Sequence, residues 1–382
     1  MTDRPLIQAA IIVRDEAEHL ERCLSSLVGL VDSAVVVDTG SVDDTVAVAQ
    51  RHGAVIDHVP WQGDFATPRN RSLDLVDADW VLYIDADEEL LPSGRAGGHA
   101  ALRTLLSRDT GHMGFRVRFV PRVGWTPFRE YRLWRNRPTI RFQGLIHESI
   151  VPAVHAAALG EGLLVGDLDL LVLQHHGYEG DQSHKHARDE PMLLAQIERD
   201  PERIFLYDHL ARIYEAQGDS ARAVASWMRG IERIRARSTS HPDDRLVYID
   251  LVVHRIASGD TSDDVAALVD EALARFPGIP SLEYAAAMVE FARAEFAAAA
   301  ARLERIVAMS LDEVVATNSS YDGRIFGEWS WNLLGLCRFS LGDDAGAADA
   351  FRRAEAAAPA ELAYRTRRML AEARASAGVP PR

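Results

Sequence analysis

The chain has 382 residues and a formal net charge of −15, with 47% hydrophobic and 26% charged residues, the proportions of a folded globular protein rather than a disordered or collagen-like one. No run of about 18 apolar residues suggests a membrane span, Met1-Thr-Asp-Arg-Pro enters a folding pattern without a secretory signal, and Cys23 and Cys337 can make neither a disulfide framework nor a thiolate metal site. These features predict a cytoplasmic protein of two or three domains, and the acidic balance argues against wholesale nucleic-acid binding.

The first ninety residues alternate strand and helix signals. Ile7 to Val13 is a short apolar run, followed by a helical pattern through Leu20, Cys23, Leu24 and Leu27. Ser33 to Val37 is a second buried run, then come a helix through Thr45, Val48 and Ala49, a strand over Ala54 to Val59, a helix near Pro68 to Val76, and a strand over Trp80 to Ile84. Continuous apolar strands between amphipathic helices predict a parallel sheet covered on both faces. Ligands of such sheets bind beyond the carboxyl ends of the strands. Arg14-Asp15-Glu16, Asp38-Thr39-Gly40-Ser41 and Asp85-Ala86-Asp87 all lie at such ends.

Pro92 to Gly114 contains five glycines and a helical middle, which predicts a surface connection. Phe115 to Val120 alternates, a half-exposed strand with arginines on one side, and further short strands are expected around Tyr131–Trp134 and Leu163–Leu173. Residues 1–100 carry 7 basic and 18 acidic side chains, whereas residues 101–150 carry 10 basic and 3 acidic. Eight arginines fall between Arg116 and Arg141. Such a block is either a solvated face or a site for a phosphorylated ligand. Gly177 to Lys185 is polar and predicts a hinge, with His184 and His186 on a solvated turn.

Beyond residue 186 the pattern is helical and repetitive. Trp331-x2-Leu334-Gly335, Gly342, Ala347-x3-Phe351 and Pro359 match the 34-residue tetratricopeptide pattern, with Arg338 in place of its Tyr. Leu210-Ala211-x2-Tyr214, Gly218 and Ala223-x3-Trp227 form a second copy, and residues 246–277 and 280–309 fit more loosely. Trp227 and Trp331 are therefore expected in the core. The predicted organisation is an α/β domain over residues 1–180 and an all-α tetratricopeptide solenoid over residues 186–382.

Asp85-Ala-Asp87 projects two carboxylates from a strand end, a spacing that suits a hard divalent cation whose shell phosphate oxygens complete. The competing reading is an ordinary helix start, with Glu88 and Glu89 capping a following helix. The run IIVRDEAEHLERCLSSL, then AVVVDTGSVDDT, then Trp61-Gln-Gly-Asp-Phe-Ala-Thr-Pro-Arg-Asn70, then DWVLYIDADEEL resembles the family-2 glycosyltransferases of GT-A fold, in particular a bacterial subgroup with a C-terminal tetratricopeptide segment. The resemblance continues through Arg132-Leu-Trp-Arg135, Phe142-x-Gly144-x-x-His147-Glu148 and His175-His-Gly-Tyr178. It implies a Rossmann-like GT-A domain with a mostly parallel sheet that moves a hexose, with inversion, from a UDP- or GDP-sugar to a hydroxyl acceptor (a glycan, a peptide or a small natural product).

By that resemblance Asp38, Gly40 and the loop Arg14, Asp15 and Glu16 hold the nucleoside, while Asp64, Arg69 and Asn70 line the nucleotide pocket. Asp85 and Asp87 hold Mn2+ or Mg2+ on the diphosphate, with His175 and His147 as further candidate ligands or as space-filling polar residues. Arg132 or Arg135 assists the departing diphosphate. Glu148 is the candidate general base, with a salt-bridge partner for the arginines as its structural alternative. The first loop departs from the family's K-N-E, because Asp15 in place of Asn loses a donor and adds a charge. Trp61 could stack on a sugar, and Trp125 could do so or belong to an acceptor lid. The other readings are a sugar-nucleotidyltransferase, which should show a Gly-rich phosphate loop after the first strand, and a nucleotide-binding scaffold without catalysis. The repeats could bind an acceptor or partner, or mediate a homodimer.

Overall fold

The computed structural model describes residues 4–91, 98–177, 183–239 and 241–377. The chain divides into two compact units, Met1–Met192 with Asn318–Ser320, and Leu193–Thr317 with Tyr321–Arg382. The first unit holds strands β1 (Ile7–Val13), β2 (Ser33–Asp38), β3 (Val55–His58), β4 (Trp80–Tyr83), β5 (Glu88–Leu91), β6 (His112–Val120), β7 (Phe128–Arg135) and β8 (Leu164–His175). Its helices are α1 (Ala17–Ser26), α2 (Thr45–Arg51), α3 (Ala66–Leu75), α4 (Gly98–Leu106) and α5 (Val151–Glu161), and α6 (Ser183–Arg199) runs across the division between the units. Tyr178 and part of the expected hinge and connection lie outside the described residues, as does the side chain of His184.

One eight-stranded sheet has the order β3-β2-β1-β4-β7-β6-β8-β5. The first four strands are parallel, as expected from their apolar runs. Beyond β4 the sheet is mixed, because β7 runs antiparallel to both β4 and β6, and β5 antiparallel to β8. The apolar strands are continuous because alternate residues enter two cores. Ile7, Ala9, Ile11 and Val13 pack with Leu20, Cys23, Val48, Leu102 and Leu106 on one face. On the other, Ala10, Val35 and Val81 pack with Leu73, Val154 and Ala158.

Two local assignments change. Glu88 and Glu89 do not start a helix; they open β5, which pairs Glu88 with His175. The arginine block is not an anion site. Arg116 and Arg129 bond to Asp167 and Asp169, Arg118 to Asp169, Arg132 to Glu88, Arg135 to Asp109, Arg137 to Glu161 and Arg141 to Asp74. Seven of the eight guanidiniums are thus matched by carboxylates, most of them distant in sequence.

The second unit consists of helices and short 3-10 turns. In α14 (Glu328–Ser340) and α15 (Asp344–Ala357), the Phe351 ring lies where a side chain at Gly335 would be, 2.5 Å from the position of a Cβ. This is the small-against-large packing that the repeat motif encodes. Between α7 (Phe205–Ala216) and α8 (Ser220–Ala236), Trp227 is wholly buried and donates to Asp208 at 3.0 Å. Trp331 is only half-buried and carries the Arg353 guanidinium on its ring. Arg338, at the Tyr position, reaches Glu304 instead of filling the core. No helix among the described residues is long and apolar enough to cross a membrane.

Candidate active site

The parallel strands bring β1, β2 and β4 to one rim at their carboxyl ends, where Arg14, Asp38 and Asp85 follow. β8 runs parallel to β6 and so delivers His175 to the same rim, while antiparallel β7 ends at the opposite one. Arg135 lies opposite Trp80, at the start of β4, stacked over its ring. Of the residues expected on the diphosphate, it is thus placed at the opposite end of β4 from Asp85.

A pocket of 360 Å³ opens at the rim, lined by Arg14, Asp38, Thr39, Gly40, His58, Val59, Pro60 and Trp61, within the size range of small-molecule sites. The positive φ of Gly40, +113°, folds the loop so that the amides of Gly40 and Ser41 both donate to the Asp38 carboxylate. The Nδ1 of His58 also reaches it, at 3.2 Å. Burial raises the Asp38 carboxyl, but Ser41, His58 and Gly40 outweigh burial and hold it below the usual carboxylate range. His58 was not singled out from the sequence, although it ends β3 on the same rim and the strand-end rule alone points to it. Its side chain is 62% exposed against 5% for Asp38, so His58 is the more accessible of the two.

The Arg14–Glu16 loop is braced from within. Asp15 takes φ +53° and accepts from the Val42 amide at 2.7 Å, while its own amide donates to Ser41 Oγ. An acceptor is what this position needs, so the missing Asn donor is not missed. Glu16 pairs with His19 and its amide donates to Thr45 Oγ1.

Asp64 and Asn70 serve the backbone rather than the pocket. Asp64 accepts from the amides of Ala66 and Thr67 at the start of α3, a cap of about 1 kcal/mol. The Asn70 side chain both donates to and accepts from the main chain of Phe142. Arg69, also expected in the nucleotide pocket, is 8% exposed and bridges two carboxylates, Asp85 at 2.5 Å and Glu148. It lies over the Tyr83 ring, and the Tyr83 hydroxyl donates to Asp85. The loop carrying Glu148 is closed by the Gln143–Ser149 bridge, with Gly144 and His147 at positive φ.

Asp87 lies beside His175, whose Nε2 is 3.2 Å from Oδ2, and the His176 amide donates to the Asp87 carbonyl. Burial pushes the Asp87 carboxyl up, yet the hydrogen bond and charge of His175 bring it down to about 2. Burial lowers His175, and Asp87 more than restores it, so the imidazole is shifted upward. A Cβ at Gly177 would stand 2.0 Å from Asp87 Oδ2, so only glycine leaves that carboxylate its space.

Arg132 is no free cation. It is buried, forks onto both oxygens of Glu88, reaches Glu130, and is sandwiched between the Tyr83 and Phe119 rings. Burial pushes Glu88 upward against the pull of Arg132. Arg132, expected to assist a diphosphate, thus has its donors on Glu88 and Glu130 at the start of β5 and in β7. In the Trp125 loop, Thr126 is buried and its carbonyl accepts from Ser320, so that loop is tied down.

The first unit is a Rossmann-like α/β domain with an acidic, pocketed rim, and the second is all-helical. Residues 9–96, spanning β1 to β5, match the profile of glycosyl transferase family 2. A TPR repeat-containing protein of Synechococcus elongatus is 34% identical over 228 residues, covering 58% of this chain and 55% of that protein. An uncharacterized glycosyltransferase of Rickettsia felis is 43% identical over 84 residues, 22% of this chain and 29% of that protein. Glucosyl-3-phosphoglycerate synthase of Mycobacterium tuberculosis, solved with Mn2+, uridine diphosphate and phosphoglyceric acid, is similar at a TM-score of 0.37 and 19% identity, over 52% of this chain and 78% of that one. The chain spans about half the length of the first relative and less than a third of the second.

Proposed function

We propose that the first unit transfers a hexose from a nucleotide-sugar, a UDP-sugar before a GDP-sugar, to a hydroxyl acceptor with inversion. The observation that carries this is the rim itself, where a pocket at the ends of β1 to β3 stands beside two carboxylates after β4. The family profile covers both.

A divalent cation fits the residues present. Asp87 is kept anionic by His175 and packs against Gly177, where any side chain would displace it, and carboxylate oxygens suit Mn2+ and Mg2+. Among the described residues no three His, Cys, Asp or Glu side chains gather as a cage. In this reading Asp87 and Asp85 would hold the ion, His175 orienting Asp87 and His147 lying on the neighbouring loop. Bound there, the ion supplies positive charge for the diphosphate that leaves.

The pocket of Arg14, Asp38, Gly40, His58 and Trp61 holds the nucleoside. The bond from the anomeric carbon to the diphosphate oxygen breaks as the acceptor oxygen bonds to that carbon, and the acceptor proton passes to Glu148 Oε. A single base opposite the leaving group gives inversion. A nucleotidyltransferase would use the same carboxylates and pocket, and the family profile favours glycosyl transfer over it and over the scaffold reading.

The test is release of nucleoside diphosphate from a panel of UDP- and GDP-sugars with Mn2+, beside Asp87→Ala and EDTA controls. Turnover of one donor, lost in both controls, is expected. Turnover that survives both would sink the metal-dependent reading, and metal-dependent nucleotide binding without turnover would direct the search to the acceptor.

A further inference from the structure

The Arg69 guanidinium has one arm on Asp85 and another on Glu148. These two carboxylates belong to opposite tasks in the transferase reading, donor-side cation and acceptor-side base. Two anions drawn this close repel unless a cation lies between them, and Arg69 is that cation. Its position is held on every side. The Tyr83 and Phe142 rings flank it at 4.7 and 5.7 Å. Helix α3 is tied to the Glu148 loop by the Phe65 amide on the Leu145 carbonyl and by the two Asn70–Phe142 bonds. A guanidinium so enclosed cannot swing out to meet a ligand, whereas the Asp85 side chain keeps 26% of its surface open.

We infer that Arg69 is a positioning residue that stands in for a divalent cation at Asp85 and transmits the filling of that site to Glu148; the inference rests on the transferase reading above. A cation arriving at Asp85 competes with Arg69 for the same carboxylate. As Asp85 is shared, more of the guanidinium charge is left for Glu148, and that side chain stays fixed for the acceptor without Arg69 having to move. An arginine that merely bound the diphosphate would behave differently, since its loss would weaken nucleotide binding and leave affinity for the bare ion unchanged.

Opposite signs separate the two. Mn2+ binding is measured by calorimetry without nucleotide, and transfer by nucleoside diphosphate release with acceptor, for the full chain and its variants. Arg69→Gln should bind Mn2+ about tenfold more tightly, because a competing buried positive charge is gone. Its transfer rate should fall about a hundredfold, because Glu148 is no longer held. Arg69→Lys keeps the charge but cannot fork onto two carboxylates, so Mn2+ affinity should stay within about threefold of the parent while transfer still falls.

Because Arg69→Gln leaves two neighbouring carboxylates without the cation between them and can fail to fold, the double variant Arg69→Gln/Glu148→Gln serves beside it, with folding checked by circular dichroism. It too should bind Mn2+ more tightly. Unchanged or weaker Mn2+ binding in folded glutamine variants overturns the inference, and does so without touching the transferase reading if the parent protein still transfers sugar. A parent that neither binds Mn2+ nor releases nucleoside diphosphate overturns both.

Discussion

Asp87 and Asp208 are the same residue in two environments, one at a strand end of the first unit and the other inside the first repeat. Burial opposes the charge of both. At Asp87 it is outweighed by His175, and the carboxyl falls to about 2. At Asp208 burial prevails, with Asp250 adding to it against Arg212 and the Trp227 hydrogen bond, and the carboxyl rises to about 8. In the proposed transferase Asp87 has to remain charged to meet a cation, and His175 favours that charge. The wholly buried Asp208 carboxyl is shifted toward its neutral form although Arg212 stands 2.9 Å away and the Trp227 indole donates to it. Burial alone does not set the charge of these two aspartates; the partner does.

The widest separation between the two is expected in activity. If Asp87 holds the cation as proposed, Asp87→Asn should lower donor turnover about a thousandfold. Asp208→Asn should leave turnover within about twofold. Comparable losses in both, measured as nucleoside diphosphate release, would erase the distinction.

A third buried carboxyl, Glu88, sharpens the comparison, because its partner is a forked guanidinium. Removing one member of a buried ion pair strands the other at a cost of about 3–5 kcal/mol. Arg132→Met should therefore destabilise strongly in a urea melt, whereas Glu88→Leu/Arg132→Met should recover most of the loss. A double variant no more stable than the single one would mean that the pair itself contributes net stability.

The pH dependence of stability is a smaller effect. For Asp208 the folded carboxyl, at about 8, lies above the ordinary 3.8. Between those values the folded state binds more protons than the unfolded one, so stability should fall as pH rises from about 4 to about 8. Asp208→Asn, which cannot ionise, should flatten that slope. A slope unchanged in the variant would mean that Asp208 is ionised and balanced by Arg212.

How far the molecule could be read from its sequence follows from how local each cause is. The strands β1, β2 and β4 show as apolar runs because both of their faces are covered within the same unit. Gly335 and Phe351 show the repeat because their packing partner lies one helix away. Arg14, Asp38, Asp85 and Asp87 could be placed at the rim because strand ends can be counted along the chain. The arginine block misled because its acids are distant: Asp74 for Arg141 and Asp167 for Arg116 belong to other elements. Asn70 and Asp64 misled because a polar side chain that bonds backbone is indistinguishable in sequence from one that bonds ligand. Glu88 misled because β5 is a short edge strand whose pairing with β8 closes only in the folded sheet.

The smallest effect concerns the departure in the first loop. At φ +53° most residues are strained, and Asn and Asp tolerate the conformation best. Asp15→Asn keeps both that tolerance and the Oδ1 that accepts from Val42. Stability should therefore change by less than about 0.5 kcal/mol, and nucleotide affinity by less than about threefold. Asp15→Ala loses the acceptor and gains backbone strain, so it should cost about 1–2 kcal/mol and loosen the loop that presents Arg14. Calorimetry with UDP and GDP separates two roles for the carboxylate. If Asp15→Asn weakens either nucleotide tenfold while the melt is unchanged, the negative charge faces the ligand. If binding holds in Asp15→Asn and fails only in Asp15→Ala, the residue acts through the shape of the loop, and Arg14 with His58 is left as the polar edge that meets the nucleoside.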